Sequence, residues 1–235
     1  MRTPQQIEQI VSSFSPPYSV EDFLTQIEID HLVAMFEDSR NHIHKNTGPI
    51  TLNLHSDSWQ DPVLANVISK LHAILGDFDI LAAFFFYVEM PHIIHNDDSF
   101  SLPVTYKGVT LPLKITYTNE NVGLPSLCFF DQYYLNGPSK FYNGETKMAM
   151  YHNIPVFNYD SVIGTTNEPF PENTRVSHFS HIKAKWLEGL SLDVMLPWKP
   201  GNALIFDSIR LHCASNFVSQ GIQSKLGISI FTQKS

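Results

Sequence analysis

Basic residues are scarce in this sequence. Fifteen Lys and Arg stand against 23 Asp and Glu, giving a formal net charge of −8. No basic stripe is visible, so an extended phosphate-binding surface is disfavoured and nucleic acid is not the expected partner. A local basic pocket for one small anion stays open. Cysteine is scarcer still: Cys128 and Cys213 are the only two, too few for a disulfide framework, and two buried free thiols in a reducing compartment are expected. Long apolar runs are missing as well. The longest, Ile80–Val88, has strand length and falls short of the roughly 18 residues a membrane helix needs. The opening MRTPQQIEQIVSSF has no apolar run of signal-peptide length, so a cytoplasmic protein without a membrane partner is expected.

What the sequence does contain is apolar and aromatic. It is 43% hydrophobic, 12% aromatic and only 16% charged, which argues against disorder and for a β-rich chain with little solvated helix surface. Its 235 residues suit one domain. No internal repeat, low-complexity segment or clear linker divides it. We expect a single domain over 1–235, with 1–77 as helical support and 78–235 as a β barrel core.

In the first third, Thr25 with Glu28 fits a capping box, and Ile29, Leu32, Val33 and Phe36 recur at helical spacing. Asp61-Pro62 suits the start of a second helix with the stripe Val63, Val67, Leu71 and Leu75. Ile50–Leu54 alternates like a short strand between them. From about Phe78 the texture changes. DILAAFFFYVEM is expected as a strand buried on both faces, and shorter β-prone runs follow: Thr110–Tyr117, Ser126–Phe130, Pro155–Tyr159, Leu192–Leu196, Ala203–Phe206 and Leu226–Phe231. One helix, SHIKAKWLEGL, is expected between Ser180 and Gly189. Many short strands separated by Gly, Pro and Asn mean a sandwich or barrel.

Eleven histidines are present, and a lone one is usually a satisfied polar group, so only a constellation counts. The best begins at Pro91-His-Ile-Ile-His-Asn-Asp97. In extended chain, positions i and i+2 share a face, so His95 and Asp97 can aim an imidazole and a carboxylate at one point. His212 follows the apolar run in PGNALIFDSIRLHCASNF and supplies a third group. Two His and one carboxylate on one face of an octahedron leave three positions open, as in the non-heme Fe(II) facial triad. His92 lacks the i, i+2 relation to Asp97 and is expected to support the site rather than bind metal. Cys213 alternates to the face opposite His212. In SKLGISIFT, Lys225, Gly227, Ser229 and Phe231 share one strand face; a lysine deep in a barrel needs an anionic partner.

His95-Asn96-Asp97, GNALIFDSIRLH up to His212, and Lys225 with Ser229 together resemble the Fe(II)/2-oxoglutarate-dependent oxygenases, nearest the phytanoyl-hydroxylase-like and prolyl-hydroxylase-like branches. The likeness runs from about Phe84 to the C-terminus. It implies a double-stranded β-helix (jelly-roll, cupin-like) barrel with N-terminal helices, a mainly β fold with supporting α. It implies His95, Asp97 and His212 as Fe(II) ligands, and Lys225 with Ser229 holding the far carboxylate of the cosubstrate 2-oxoglutarate. Many relatives carry Arg-x-Ser there; here Lys stands first and Gly227 takes the Ser position. Arg210, which shares strand parity with His212, is a rival carboxylate partner, and Tyr87 is a further candidate for 2-oxoglutarate or a core residue.

The activity implied is a dioxygenase that uses O2, hydroxylates a small molecule, amino acid or peptide side chain, and releases succinate and CO2. Desaturation or ring formation fits the same ligand set. Two other classes use such a barrel: a metal-dependent cupin enzyme without 2-oxoglutarate, and a silent barrel that serves as a binding module. Asp131, Tyr133 and Tyr134 are candidate pocket residues, and 137–178 is a candidate lid or substrate wall. His42-x-His44 and His178-x-x-His181 are expected as loop or surface histidines, and Trp198 as a turn residue packed on the barrel. Oligomeric state is not encoded in any recognisable pattern.

Overall fold

The computed structural model describes residues 12, 14–41, 49–98, 105–118, 122–134 and 162–235. Ten strands and three α-helices are found among them: β1 (Tyr18–Val20), α1 (Gln26–Asn41), β2 (Ile50–Asn53), α2 (Pro62–Leu75), β3 (Phe78–Val88), β4 (Thr105–Tyr117), β5 (Ser126–Tyr134), β6 (Val162–Ile163), α3 (Glu172–His178), β7 (Leu192–Pro197), β8 (Ala203–Asp207), β9 (Arg210–Ala214) and β10 (Ile222–Lys234). No helix among the described residues is long and apolar enough to cross a membrane.

Both N-terminal helices start where their caps place them. Thr25 and Glu28 form the reciprocal box: Thr25 N–H donates to the Glu28 carboxylate at 2.8 Å, and Glu28 N–H donates to the Thr25 hydroxyl at 3.3 Å. The Asp61 carboxylate accepts from the N–H groups of Val63 and Leu64 at 2.9 and 3.1 Å, with Pro62 in the first turn of α2. The apolar stripes of α1 and α2 then pack on one face of a six-stranded sheet. Leu32, Phe36, Leu64, Val67 and Leu71 join Phe85, Leu111, Leu226, Ile228 and Ile230 in one buried cluster.

That sheet has the order β1-β8-β4-β10-β3-β2, and every pairing in it is antiparallel. A second sheet is built on β5, which pairs with β6, β7 and β9, again antiparallel. Phe129, Leu127, Leu196 and Val194 of the second sheet pack against Leu204, Phe206 and Phe86 of the first, so the two sheets face each other across an aromatic core. The outer face of the second sheet carries Cys128, Phe130, Leu211 and Cys213, covered by Phe179, Ile182, Leu187 and Leu190. His212 and Cys213 therefore do point to opposite faces, and both cysteines are free and buried.

Several sequence expectations are corrected. The 180–190 segment is not a helix; it holds only a 3-10 turn at Ala184–Trp186, after the short α3. Phe179, Ile182, Leu187 and Leu190 all reach the same sheet face, and irregular backbone with Gly189 at φ +76° delivers them there. The strand at Phe78–Val88 is not covered on both faces throughout, since Leu81 is 36% exposed. His212 lies inside a strand of its own, β9, which no local periodicity announced. The expected strand Pro155–Tyr159 lies outside the described residues.

Candidate metal centre

The extended segment 92–97 runs antiparallel beside β9. His95 and His212 exchange two backbone hydrogen bonds, each 2.9 Å, and the pairing continues through Ala214 N–H to His92 C=O (3.2 Å) and Asp97 N–H to Ser208 C=O (2.6 Å). On its other side β9 pairs with β5, placing Phe129 opposite His212. Asn96 points the other way, and its amide donates to the Tyr134 carbonyl at 3.0 Å. This fixes the alternation that turns His95 and Asp97 toward His212.

The three side chains converge. One ligand atom from each of His95, Asp97 and His212 lies within 4.8 Å of the others, a group able to hold a metal ion. Asp97 offers one oxygen to each imidazole: Oδ1 is 3.5 Å from His95 Nε2, and Oδ2 is 3.3 Å from His212 Nε2. The far ring nitrogens are tied to backbone carbonyls two residues earlier. His95 Nδ1 is 2.8 Å from Ile93 C=O, and His212 Nδ1 is 2.9 Å from Arg210 C=O. A carbonyl only accepts, so Nδ1 carries a proton, and Nε2 is the nitrogen turned toward the centre. The His212 ring is buried against Phe206 and Phe129, with centroids 4.7 and 5.6 Å away, and the His92 ring lies 4.0 Å from that of His95.

Lys225 sits on the face of β10 that turns away from the helices. It is 4% exposed. Its ammonium lies over the rings of Trp198 and Phe217, at 4.9 and 4.7 Å from their centroids, and no carboxylate pairs with it among the described residues. Burial pushes its pKa down to about 8, against a smaller opposing effect of Cys128 and Cys213. Trp198, in the connection just after β7, is packed inward: it is 1% exposed and walls the space beside Lys225. Neither Trp198 nor Phe217 carries a sequence signal for this role, because strand pairing distant in sequence brings them there.

The other expected cosubstrate residues are placed differently. Ser229 shares the Lys225 face four residues on, but the space over the intervening Gly227 is filled: a Cβ there would meet Phe86 Cζ at 2.8 Å and Trp198 Cζ2 at 3.0 Å. Arg210 is already neutralised. Its Nε donates to Phe130 C=O at 2.7 Å, and its guanidinium pairs with Asp193 and lies 3.6 Å from Asp131. Tyr87 lies on the helix side of β3, where its ring meets Phe36 and the Arg40 guanidinium and its hydroxyl donates to Glu89 at 3.1 Å. The structure does not bring it to the triad. The β3 alternation decides this: Phe85 and Tyr87 face the helices, while Phe86 faces the second sheet.

Of the candidate pocket residues, Tyr134 is buried in the outer cluster of the second sheet. The Tyr133 ring stacks on Phe14 at 3.8 Å and lies under Arg210. Asp131 accepts from the Ser191 hydroxyl at 2.9 Å. His178 ends α3 and His181 lies in the turn after it; both are half-buried with buried ring nitrogens, and burial pushes the His181 pKa down to about 4. His42, His44 and residues 137–161 of the expected lid lie outside the described residues.

No protein-family model matches this sequence, and no characterised protein matches it by sequence. Solved structures do match in three dimensions. The epimerase SnoN, in complex with Fe3+, alpha ketoglutarate and nogalamycin RO, superposes with a TM-score of 0.53 at 13% identity, covering 99% of this chain and 85% of that one. HygX from Streptomyces hygroscopicus, with nickel and 2-oxoglutarate bound, gives 0.51 at 11% identity over 100% and 88%. The non-heme alpha ketoglutarate dependent carbocyclase SnoK gives 0.51 at 11% identity over 99% and 84%. The chain therefore has the fold of non-heme 2-oxoglutarate-dependent enzymes.

Proposed function

We propose that this chain is an Fe(II)- and 2-oxoglutarate-dependent dioxygenase that hydroxylates a small molecule, amino acid or peptide side chain. The observation that carries the reading is the convergence of one ligand atom each from His95, Asp97 and His212 within 4.8 Å of one another, on a fold shared with such enzymes. We take residues 1–235 as one domain and the two facing sheets as the walls of one double-stranded β-helix barrel.

The residues fit the metal. Two imidazoles and one carboxylate are a donor set that suits Fe(II), which His95, Asp97 and His212 would hold. Bound iron would supply the activation of O2 coupled to oxidative decarboxylation of 2-oxoglutarate, which yields succinate and CO2. The protein's part is positioning. Ile93 and Arg210 carbonyls hold the two imidazoles in one tautomer. Phe129 and Phe206 keep water from the buried edge of His212. Lys225 offers a desolvated ammonium to the far carboxylate of 2-oxoglutarate, with Trp198 and Phe217 holding that ammonium in place. Asp97 would serve as a third protein ligand, which favours hydroxylation over halogenation.

Ser229, Arg210 and Tyr87 are not part of this assignment. Phe86 and Trp198 fill the space over Gly227, which lies between Lys225 and Ser229, Arg210 is ion-paired, and Tyr87 faces the helices. The test is succinate release from 2-oxoglutarate by the Fe(II)-loaded chain under air, screened against a metabolite library for stimulation. Succinate formation that requires Fe(II) supports the reading. Metal uptake without any binding or turnover of 2-oxoglutarate points to a cupin enzyme of another kind, and no response to either ligand points to a silent binding module.

A further inference from the structure

The helix side of the six-stranded sheet holds a second cluster of polar groups. A cavity of about 130 Å³ opens between α1 and strands β3, β4 and β10, lined by Glu37, Arg40, Tyr87, Lys114, Thr116 and Ser224 together with Leu226. Ser224 and Leu226 flank Lys225 on β10 and face the opposite way, so this cavity and the proposed 2-oxoglutarate space lie on opposite faces of one strand. Ser224 and Thr116 are directly paired across β10 and β4, which puts their hydroxyls side by side on the cavity floor.

Ser224 is only 2% exposed, and its hydroxyl makes no hydrogen bond among the described residues. That hydroxyl is free to donate to a molecule in the cavity it lines. Arg40 leans over the Tyr87 ring at 4.9 Å, and its one acidic neighbour, Glu37, is 3.8 Å away, beyond hydrogen-bond distance. Its five N–H donors are therefore unspent among the described residues. Lys114, on the row below, has no acidic partner there either. Two cations and two hydroxyls converge on the space, against the single, half-exposed carboxylate of Glu37.

We infer that this cavity is a binding site for a phosphate-class oxyanion, held by the guanidinium of Arg40, the ammonium of Lys114 and the hydroxyls of Ser224 and Thr116. A tetrahedral oxyanion presents several acceptors at once, which matches donors arriving from a helix above and two strands below. At about 130 Å³ the cavity has room for inorganic phosphate or the phosphoryl end of a larger molecule. The inference is independent of the metal centre.

Titration of the purified full-length chain with inorganic phosphate tests it, read by calorimetry and by thermal melting, with sodium chloride and sodium acetate at matched ionic strength as controls. Phosphate is expected to raise the melting temperature where chloride and acetate do not. Arg40→Ala and Lys114→Ala should each weaken phosphate binding at least tenfold, and Ser224→Ala severalfold, with phosphate-free melting temperatures reporting that each variant is folded. Lys225→Met should leave the phosphate response unchanged. An absent response, an equal response to acetate or chloride, a response that survives Arg40→Ala with Lys114→Ala, or one lost in Lys225→Met would each overturn the assignment.

Discussion

His95 and His212 are joined through their backbones: each donates its N–H to the other's carbonyl at 2.9 Å, and their rings lie 4.2 Å apart. The two imidazoles therefore leave one rung of an antiparallel ladder, and their Nε2 atoms are aimed before any metal arrives. Neither side chain makes the rung. Replacing His95, Asp97 or His212 by alanine should accordingly remove metal binding and all 2-oxoglutarate turnover while leaving the far-ultraviolet circular dichroism spectrum unchanged. Metal content after anaerobic Fe(II) loading checks the first outcome. Full activity in His212→Ala would remove the triad from the mechanism.

Lys225 carries a pH prediction. Burial lowers its pKa to about 8, so the free protein holds a charged ammonium below that value and a neutral amine above it. Only the charged form attracts a carboxylate. The KM for 2-oxoglutarate should thus be flat below pH 8 and rise by up to about tenfold per pH unit above it. In Lys225→Met the KM should rise roughly 10- to 100-fold, as expected for a lost charge-assisted hydrogen bond, and its dependence on alkaline pH should vanish. A KM insensitive to the substitution would move the cosubstrate elsewhere.

The sequence announced the parts of this site that local rules govern. His95 and Asp97 are two apart in extended chain, and Lys225 shares a face with Ser229 by alternation; both follow from period two. The helix caps at Thr25 and Asp61 were equally legible, because the partners sit within three residues. For Tyr87 and Arg210 the sequence left two roles open, for the opposite reason. Parity says which residues share a face but not what occupies it, and Arg210 meets Asp193 and Asp131, which arrive from other strands. Trp198 and Phe217 flank Lys225 through register between distant strands, which no short window of sequence contains. The segment after Phe179 misled because its apolar residues sit near helical spacing yet pack on a flat sheet face.

Glu28 links the helices and should dominate part of the acid response. Burial acts to raise its pKa, but hydrogen bonds from Lys70, Thr25 and Asn66 outweigh it and bring the pKa from 4.5 to about 2. Lys70 reaches both carboxylate oxygens, at 2.8 and 2.9 Å. Because the folded pKa lies below the unfolded one, the stabilisation is complete above about pH 4.5 and is lost as pH falls from there toward 2. Lys70→Met should cost about 2 kcal/mol at neutral pH, seen as a melting temperature lower by roughly 4–8 °C. It should also flatten the fall in stability between pH 4.5 and 2; an unaltered acid profile would mean that the pair contributes nothing there.

The packing around Gly227 leaves no room for a serine two positions after Lys225. A Cβ at 227 would stand 2.8 Å from Phe86 Cζ, 2.9 Å from the Leu111 carbonyl oxygen and 3.0 Å from Trp198 Cζ2. The first and last contacts are with rings packed between the sheets, and the second is with backbone, so none yields cheaply. Gly227→Ser should therefore destabilise the fold by roughly 1–3 kcal/mol, rather than improve the grip on 2-oxoglutarate. If Trp198 is the obstacle, Trp198→Leu in the same chain should recover part of that loss relative to the two single changes added together, because the larger ring no longer presses on the new side chain. Trp198→Leu also removes one of the two aromatic faces on the Lys225 ammonium, so the KM for 2-oxoglutarate should rise even as the melting temperature recovers. Strictly additive losses in the double variant would leave Phe86 and the Leu111 carbonyl, not Trp198, as what forbids a side chain at this position.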